Sequence, residues 1–306
     1  MKTCVIFNPA ARGEKARSFR GFLEKIAGNA AFKPTWAAGA ATELARTAVE
    51  EGFENIVAAG GDGTLNEVLN GIAETREGLA KTRLGVLPLG TVNVFAKELR
   101  IPEDPQKAWE TILAGAERTI DLPFADWTED GAPKRRYFAQ LAGAGLDAEA
   151  IALVDWESKR RFRQLAYVFA GLRALLRPQH KITATSGDFS QTGELILIGN
   201  GRYYGGKLPI FPEANLTDGK IDVCVFPKVN LLTAARFAFW LCMGHSRRPA
   251  PVHFLQSETV ELTSPTGAQF ELEGDLVGKL PVRLGVLAKA LRMIVPSPNR
   301  NPQSCS

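Results

Sequence analysis

Residues 60–71 read Gly60-Gly61-Asp62-Gly63-Thr64-Leu65-Asn66-Glu67-Val68-Leu69-Asn70-Gly71. Upstream, Asn55-Ile56-Val57-Ala58-Ala59 is a short run that reads as a buried strand. Downstream, Leu65, Val68, Leu69 and Ile72 recur at helical spacing. A strand, a glycine-rich turn and a helix therefore meet at Gly60–Thr64. Such a turn suits a phosphate, because glycines let the backbone approach an anion and the helix N-terminus offers N–H groups with partial positive charge. Asp62 repels phosphate, so its role there is to hold Mg²⁺ or to organise the loop. The competing reading is a tight strand-to-helix turn with an Asp/Thr cap. The run is far more specific than a lone G-x-G-x-x-G.

Around this stretch the first third of the chain alternates strand and helix. Strands are expected at Cys4–Phe7, Phe32–Trp36, Ile56–Ala59 and Leu84–Leu87. Helices are expected at Glu14–Ala27, Ala41–Glu51, Asn66–Ala73, Val94–Leu99 and Pro105–Ala114. This rhythm predicts an α/β domain with a mostly parallel sheet and helices on both faces. Ligands of such sheets lie outside the carboxyl ends of the strands, where Gly60–Thr64 falls. Two further turns follow strands: Asn8-Pro9-Ala10-Ala11-Arg12-Gly13, and Pro88-Leu89-Gly90-Thr91-Val92-Asn93-Val94-Phe95-Ala96. Any one of them can be a structural turn, but three on one sheet edge are hard to dismiss.

From about Asp121 the pattern changes. Tyr137–Ala142, Lys181–Thr185, Glu194–Gly199, Ile221–Phe226, Thr259–Thr263, Phe270–Glu273 and Pro281–Leu287 read as strands. Two helix-like stretches, Lys159–Leu176 and Leu231–Met243, interrupt them. The expectation is a β-rich, sandwich-like second domain. The domains are read as 1–121 and 122–298, with a disordered tail over 299–306.

The chain has 306 residues, 45% hydrophobic and 23% charged, the composition of an ordinary globular protein. A net charge of +4 carries no global nucleic-acid signature, so any anion preference is local. Cys4, Cys224, Cys242 and Cys305 have neither paired nor metal-like spacing, and His180, His245 and His253 form no ligand cluster with them. Reduced thiols and no zinc follow, in keeping with a cytoplasmic protein. Met1-Lys2-Thr3 runs straight into a strand, so no secretory signal is expected. The most apolar stretch, Leu231 to Gly244, is interrupted by Arg236, so a membrane would be visited from the aqueous side. Lys159-Arg160-Arg161-Phe162-Arg163 opens a basic amphipathic segment, which suits either an anionic bilayer or a core-packed helix with a solvated basic face.

The chain resembles the diacylglycerol kinase catalytic-domain family, the bacterial soluble lipid kinases related to sphingosine and ceramide kinases. The resemblance rests on Asn8-Pro9, Thr35 ahead of Gly39, Gly60–Gly71 and Pro88–Ala96 in the first half. In the second half it rests on Gly143-Ala144-Gly145-Leu146-Asp147-Ala148, Asn200-Gly201-Arg202-Tyr203-Tyr204-Gly205-Gly206, Pro212 to Asp222, and Glu273-Gly274-Asp275. It implies a two-domain kinase with ATP in the cleft between the domains. It implies nucleotide contacts at Thr35, at Gly60, Gly61, Asp62, Gly63, Thr64, Leu65 and Asn66, and at Thr91. It also implies a Mg²⁺ site of backbone carbonyls and one aspartate at Asn215, Asp218 and Lys220, which shapes the second domain. A hard cation with carbonyl and carboxylate ligands suits such a turn, and a plain Asp-Gly turn is the alternative.

Three departures stand out. The family's usual Asp-Gly-Glu is Glu273-Gly274-Asp275 here, which puts Asp275 at the position of the catalytic base. The usual third glycine after Gly205-Gly206 is Lys207, and the usual aspartate after Asn93 is Val94. The implied activity is ATP-dependent phosphorylation of a hydroxyl on a diacylglycerol-like membrane lipid, in lipid metabolism and phospholipid biosynthesis, with Asp275 and Asp62 in the catalytic set. The expected partners are ATP and a lipid at the membrane surface, with no nucleic acid and with a homodimer allowed. The expected location is the cytoplasm or the periphery of the inner membrane face. The alternatives are an NAD kinase-type small-molecule kinase, which shares Gly-Gly-Asp-Gly-Thr, and a non-catalytic nucleotide- or lipid-binding relative.

Overall fold

The computed structural model describes residues 1–11, 21–23, 25, 28, 30–153, 179–206, 208–242 and 251–297. The chain divides into two compact units. The first contains β1 (Thr3–Phe7), β2 (Ala31–Pro34), α1 (Ala40–Glu50), β3 (Asn55–Gly60), α2 (Asp62–Glu74), α3 (Gly78–Lys81), β4 (Arg83–Pro88), α4 (Val94–Glu98) and α5 (Pro105–Ala114). Its strands lie in the order β2-β1-β3-β4, all parallel. β3 and β4 are buried along their whole length, which explains their unbroken apolar runs: a parallel strand covered on both faces has no polar side to alternate with.

The register brings the carboxyl ends of the central strands level. Phe7 lies opposite Ala59, and Gly60 opposite Pro88. α2 begins two residues after β3 reaches that edge, and its Leu65, Val68, Leu69 and Ile72 are all buried. At about 1.5–3 kcal/mol for each such side chain, burial rather than helix propensity holds α2 on the sheet.

The second unit contains β5 from Pro123 onward (β5 is Glu117–Glu129), β6 (Ala132–Tyr137), β7 (Leu141–Gly145), α6 (Leu146–Leu153), β8 (Ile182–Ser186), β9 (Phe189–Gly193), β10 (Leu195–Gly199) and β11 (Ile221–Phe226). It continues with α7 (Leu231–Cys242), β12 (His253–Ser257), β13 (Thr259–Thr263), β14 (Gln269–Leu272), β15 (Asp275–Lys279) and the first part of β16 (Val282–Ile294). One antiparallel sheet runs β12-β11-β10-β7-β14-β15. A second antiparallel set runs β16-β13-β8-β9. Ile196, Ile198, Val223 and Phe270 of the first meet Ile182, Val260, Leu262 and Leu284 of the second in one core, the construction of a sandwich. The alternate residues Leu197, Cys224 and Phe226 form a second cluster on the outer face with Phe237 and Leu241 of α7. Both faces of β11 are thus covered, which accounts for its apolar run from Val223 to Phe226.

Several expected boundaries move. Tyr137–Ala142 is not one strand: β6 ends at Tyr137 and β7 starts at Leu141. The strand expected to stop at Leu287 runs on to Ile294. From Ala288 the chain belongs to the first unit, where Met293 pairs in parallel with Leu84 and the Val295 N–H donates to the Ala116 carbonyl at 2.9 Å. β5, β9, β12, β15 and α6 carry no clear periodic signal of their own and were not expected. The expected helix over 14–27 falls mostly, and the basic segment over 159–176, Lys207 and the tail over 299–306 fall wholly, outside the described residues. Among the described residues no helix is long and apolar enough to cross a membrane.

Candidate functional site

In the first unit the three turns at the carboxyl ends of β1, β3 and β4 are bonded into one structure. The Asn8 N–H donates to the Ala59 carbonyl at 3.0 Å, and the Asn8 amide Nδ2 donates to Thr64 Oγ1 at 3.1 Å. The N–H groups of Leu89 and Gly90 both donate to the Gly60 carbonyl, at 2.8 and 3.2 Å. Gly61 and Gly90 meet backbone to backbone: a Cβ on Gly90 would lie 2.5 Å from the Gly61 Cα. Glycine at position 90 is therefore a condition of the two turns touching as they do, while a Cβ on Gly61 would be a tight contact at 3.3 Å from the Gly90 Cα.

The N–H groups of Asp62, Gly63 and Thr64 form the first turn of α2, ahead of its first intrahelical bond from Leu65 N–H to the Gly61 carbonyl. Among the described residues no side chain caps this end. Asp62, placed to do so, turns instead to the neighbouring loop. Its Oδ2 accepts the Val94 N–H at 3.1 Å and its Oδ1 accepts the Phe95 N–H at 3.3 Å, so it caps α4. Burial pushes the Asp62 carboxyl above its ordinary value, against the pull of those amides and of Lys97. Of the two roles considered for Asp62, organising the loop is the one these contacts perform. Asn93, left-handed at φ 51°, completes the second turn: its amide donates to the Gly90 carbonyl at 2.9 Å and its Oδ1 accepts the Gly90 N–H at 3.0 Å. Val94 needs only its N–H for this arrangement, and its side chain is buried.

The other nucleotide-contact candidates divide by exposure. Gly63 and Thr91 are exposed, and Gly61 is half-buried. Gly60 is buried as the last residue of β3, and the buried Thr64 hydroxyl is engaged by Asn8. Leu65 and Asn66 face the packed interior, with Asn66 Oδ1 3.4 Å from the Asn70 amide. Thr35 is buried and its N–H donates to the Phe7 carbonyl at 2.8 Å. Glu67 acquires a role that its place in the motif did not suggest: its carboxylate accepts the N–H groups of Gly39 and Ala41 at 3.0 and 3.1 Å, capping α1.

In the second unit, the turn between β14 and β15 carries the two acids of Glu273-Gly274-Asp275, and their environments differ. Glu273 Oε1 accepts the N–H groups of Ala139 and Gln140 at 2.7 and 2.6 Å, and that of Leu141 at 3.4 Å. This draws the chain into the break between β6 and β7. Glu273 is itself left-handed, at φ 56°, a conformation that costs an L-residue about 1–2 kcal/mol and that these bonds offset. Asp275 has a half-exposed side chain, 58% accessible, and its Oδ2 lies 3.2 Å from Arg136 Nη2.

Beneath the turn lies a cluster whose members the sequence did not bring together. Glu271, fully buried, accepts the Gly274 N–H at 2.6 Å through Oε2. It is hydrogen-bonded to Asp147, which accepts the Tyr204 hydroxyl. Two bonded carboxyls in a buried site must share a proton, and burial raises both, Glu271 well above its usual range with the Asp147 charge adding to the rise. Gly143 leaves the room for them: a Cβ there would collide with Asp147 Oδ2 and lie 2.9 Å from Glu271 Oε1. The available signals were Asp147 in the Gly143–Ala148 motif and Tyr204 in the Asn200–Gly206 motif. Nothing marked Glu271, one acid inside an apolar strand.

The expected metal residues form a tight exposed turn. Asn215 Oδ1 accepts the Thr217 N–H at 3.2 Å, and Asp218 Oδ1 accepts the Lys220 N–H at 3.0 Å. A carboxylate with nearby loop carbonyls is a donor set that suits a hard divalent cation. Among the described residues no group of three or more His, Cys, Asp or Glu side chains could hold a metal by itself.

Comparison with known proteins extends these observations over nearly the whole chain. Residues 2–124 match the family model described as the diacylglycerol kinase catalytic domain. Residues 140–295 match that of the YegS C-terminal NAD kinase beta sandwich-like domain. A protein of Bacillus subtilis (strain 168) named diacylglycerol kinase is 33% identical over 267 residues, covering 86% of this chain and 84% of the relative. One of Staphylococcus saprophyticus with the same name is 29% identical over 290 residues, covering 92% and 90%. A solved structure from Bacillus anthracis str. Sterne superposes with a TM-score of 0.79 at 21% identity, covering 97% of this chain and 95% of that one. At that identity it establishes likeness of fold.

Proposed function

The chain belongs to the diacylglycerol kinase family, and from that premise we propose that it transfers the γ-phosphate of ATP to a hydroxyl of a diacylglycerol-like membrane lipid. The observation that carries the proposal is the uncapped N-terminus of α2, whose acidic residue is diverted to cap α4. The N–H groups of Asp62, Gly63 and Thr64 are thereby left to an anion, on a turn made rigid by Asn8, Gly90 and Asn93. Thr91, exposed on the adjoining turn, supplies a further hydroxyl. Thr35, Leu65 and Asn66 support the site from within.

Asp275 is the proposed base. Its carboxylate is accessible and is paired with Arg136, whereas Glu273 is occupied by main-chain amides. It would accept the proton of the lipid hydroxyl as the oxygen attacks phosphorus. Mg²⁺, if held at Asn215, Asp218 and Lys220, would supply positive charge and order to that loop. The residues named here position the reactants, and positioning supplies most of the rate in phosphoryl transfer.

The test is transfer of labelled phosphate from ATP across a panel of lipid alcohols, followed by extraction into organic solvent. Label in the organic phase supports a lipid kinase. Label left on a nucleotide identifies an NAD kinase-type enzyme, and ATP binding without transfer identifies a non-catalytic relative.

A further inference from the structure

α7 is a twelve-residue helix on the outer face of the second unit. Its start is fixed, since Asn230 Oδ1 accepts the Thr233 N–H at 2.9 Å and Glu194 Oε2 accepts the Val229 N–H at 2.7 Å. Its inward face is firmly packed: Phe237 stands edge-on to Phe226 at 4.9 Å, and Trp240 lies against Phe254 at 5.6 Å. A surface helix that has spent one apolar face on the protein should present polar residues outward. α7 does not. Leu231, Leu232 and Phe239 are 70%, 59% and 66% exposed. With the exposed Ala235 they fall at i, i+1, i+4 and i+8, a single outward arc.

The charge carried by the segment around this arc is of one sign. From Val223 to Ser257 the sequence contains no aspartate or glutamate. Arg236 is exposed beside the apolar arc and Lys228 is exposed just before the helix. Two acids, Glu213 and Asp222, line a cavity of about 310 Å³ under Trp240, on the helix's inward flank. The carboxylate of Glu194 is paired with Lys181 at 2.9 Å. An apolar arc whose exposed charged neighbours on its own segment, among the described residues, are Arg236 and Lys228 complements one surface in particular, an acyl-chain boundary beneath anionic headgroups.

We infer that the outward face of α7 is a docking surface for an anionic phospholipid bilayer, with Leu231, Leu232 and Phe239 entering the interface and Arg236 and Lys228 contacting phosphates. The inference deepens the lipid-kinase reading and rests on it for its purpose, since a kinase of a membrane lipid must meet its acceptor at the bilayer. A second copy of the chain is a poorer occupant, because like charges on the two rims would oppose pairing.

The experiment is co-sedimentation of the full chain with vesicles of equal parts phosphatidylglycerol and phosphatidylcholine, and with vesicles of phosphatidylcholine alone. The wild type should bind the anionic vesicles more tightly, and added salt should weaken that binding. The combined L231S/L232S/F239S variant should lose at least about 30-fold in partitioning, the scale of withdrawing partly inserted apolar side chains. Its thermal unfolding should stay close to that of the wild type, because all three side chains are mostly exposed. Arg236→Glu should cost about fivefold or more, on anionic vesicles only. Should the triple variant fold poorly, L232S and F239S singly should each still cost about threefold or more.

Wild-type-like binding by these variants, or no vesicle binding by the wild type, overturns the inference. So does a wild-type dimer that the triple variant dissolves without change in vesicle binding. Activity on detergent-dispersed diacylglycerol separates the two readings. If the wild type shows none while vesicle binding still depends on α7, the kinase assignment fails and the docking surface stands.

Discussion

The Asp62 carboxylate accepts the Val94 N–H at 3.1 Å, so the acid of the first glycine turn holds the second turn in place. Two loops that are 32 residues apart in the chain share one anchor, and a change at Asp62 is felt in both.

Asp62→Ala should therefore lower phosphoryl transfer by at least about 100-fold, the scale of losing a positioned electrostatic arrangement. Losing a helix cap costs about 1 kcal/mol, too little to unfold a domain, so the loss should come with the fold intact. Steady-state kinetics beside thermal unfolding check this. Near-normal turnover in a folded Asp62→Ala protein would remove the turn from the site.

Gly63→Ala should move stability and activity in opposite directions. Gly63 lies in the first turn of α2 with open space around its missing Cβ, and its φ is not positive. Alanine there should stabilise the helix by about 0.5–1 kcal/mol. The same methyl group would stand where a phosphate must come close to the backbone, so ATP affinity should fall. Urea denaturation and nucleotide titration of one preparation read both effects. If ATP binds this variant as well as the wild type, the phosphate lies elsewhere.

Asp275→Asn should nearly abolish transfer while changing ATP affinity little, since the base acts on the acceptor hydroxyl. Asp275→Glu should stay active, as it restores the family's usual acid. Glu273→Gln should act on stability instead, by about 1–3 kcal/mol, because it weakens the charged acceptor of the Ala139 and Gln140 amides. An active Asp275→Asn beside a folded but inactive Glu273→Gln would exchange the two assignments.

The Asp147–Glu271 pair sets a pH dependence of known sign. Both carboxyls are raised in the folded state by burial. The folded protein therefore binds protons that the unfolded chain releases. The stabilisation is complete below the ordinary carboxylate range and is lost as pH rises through the raised folded values. Glu271→Gln keeps an acceptor for the Gly274 N–H and offers Asp147 a donor that does not titrate. Unfolding free energies measured between about pH 5 and pH 9 should fall less steeply for this variant than for the wild type. Equal slopes would show that the shared proton is absent.

Much of the first unit was legible in the sequence. The buried runs at Cys4–Phe7, Ile56–Ala59 and Leu84–Leu87 and the amphipathic spacing of Leu65 to Ile72 are local signals, and the elements formed where those signals lie. The second unit was legible in class but less so in detail. β5 and β15 mix charged and apolar residues because they gain stability from neighbouring strands rather than from their own pattern. The break at Ala139-Gln140 was invisible for the same reason: its cause is Glu273, more than 130 residues away.

By itself the sequence determined the α/β rhythm, the three glycine turns and the family, because these rest on spacings of a few residues and on residue types that only certain backbones tolerate. Only the tertiary structure decided what the acids do. Asp62 caps a helix of another loop, Glu273 is tied to main-chain amides while Asp275 stays accessible, and Glu271 is buried against Asp147 with both carboxyls raised. A carboxylate's role is set by the donors around it and by its distance from water, and both are supplied by segments remote in the chain.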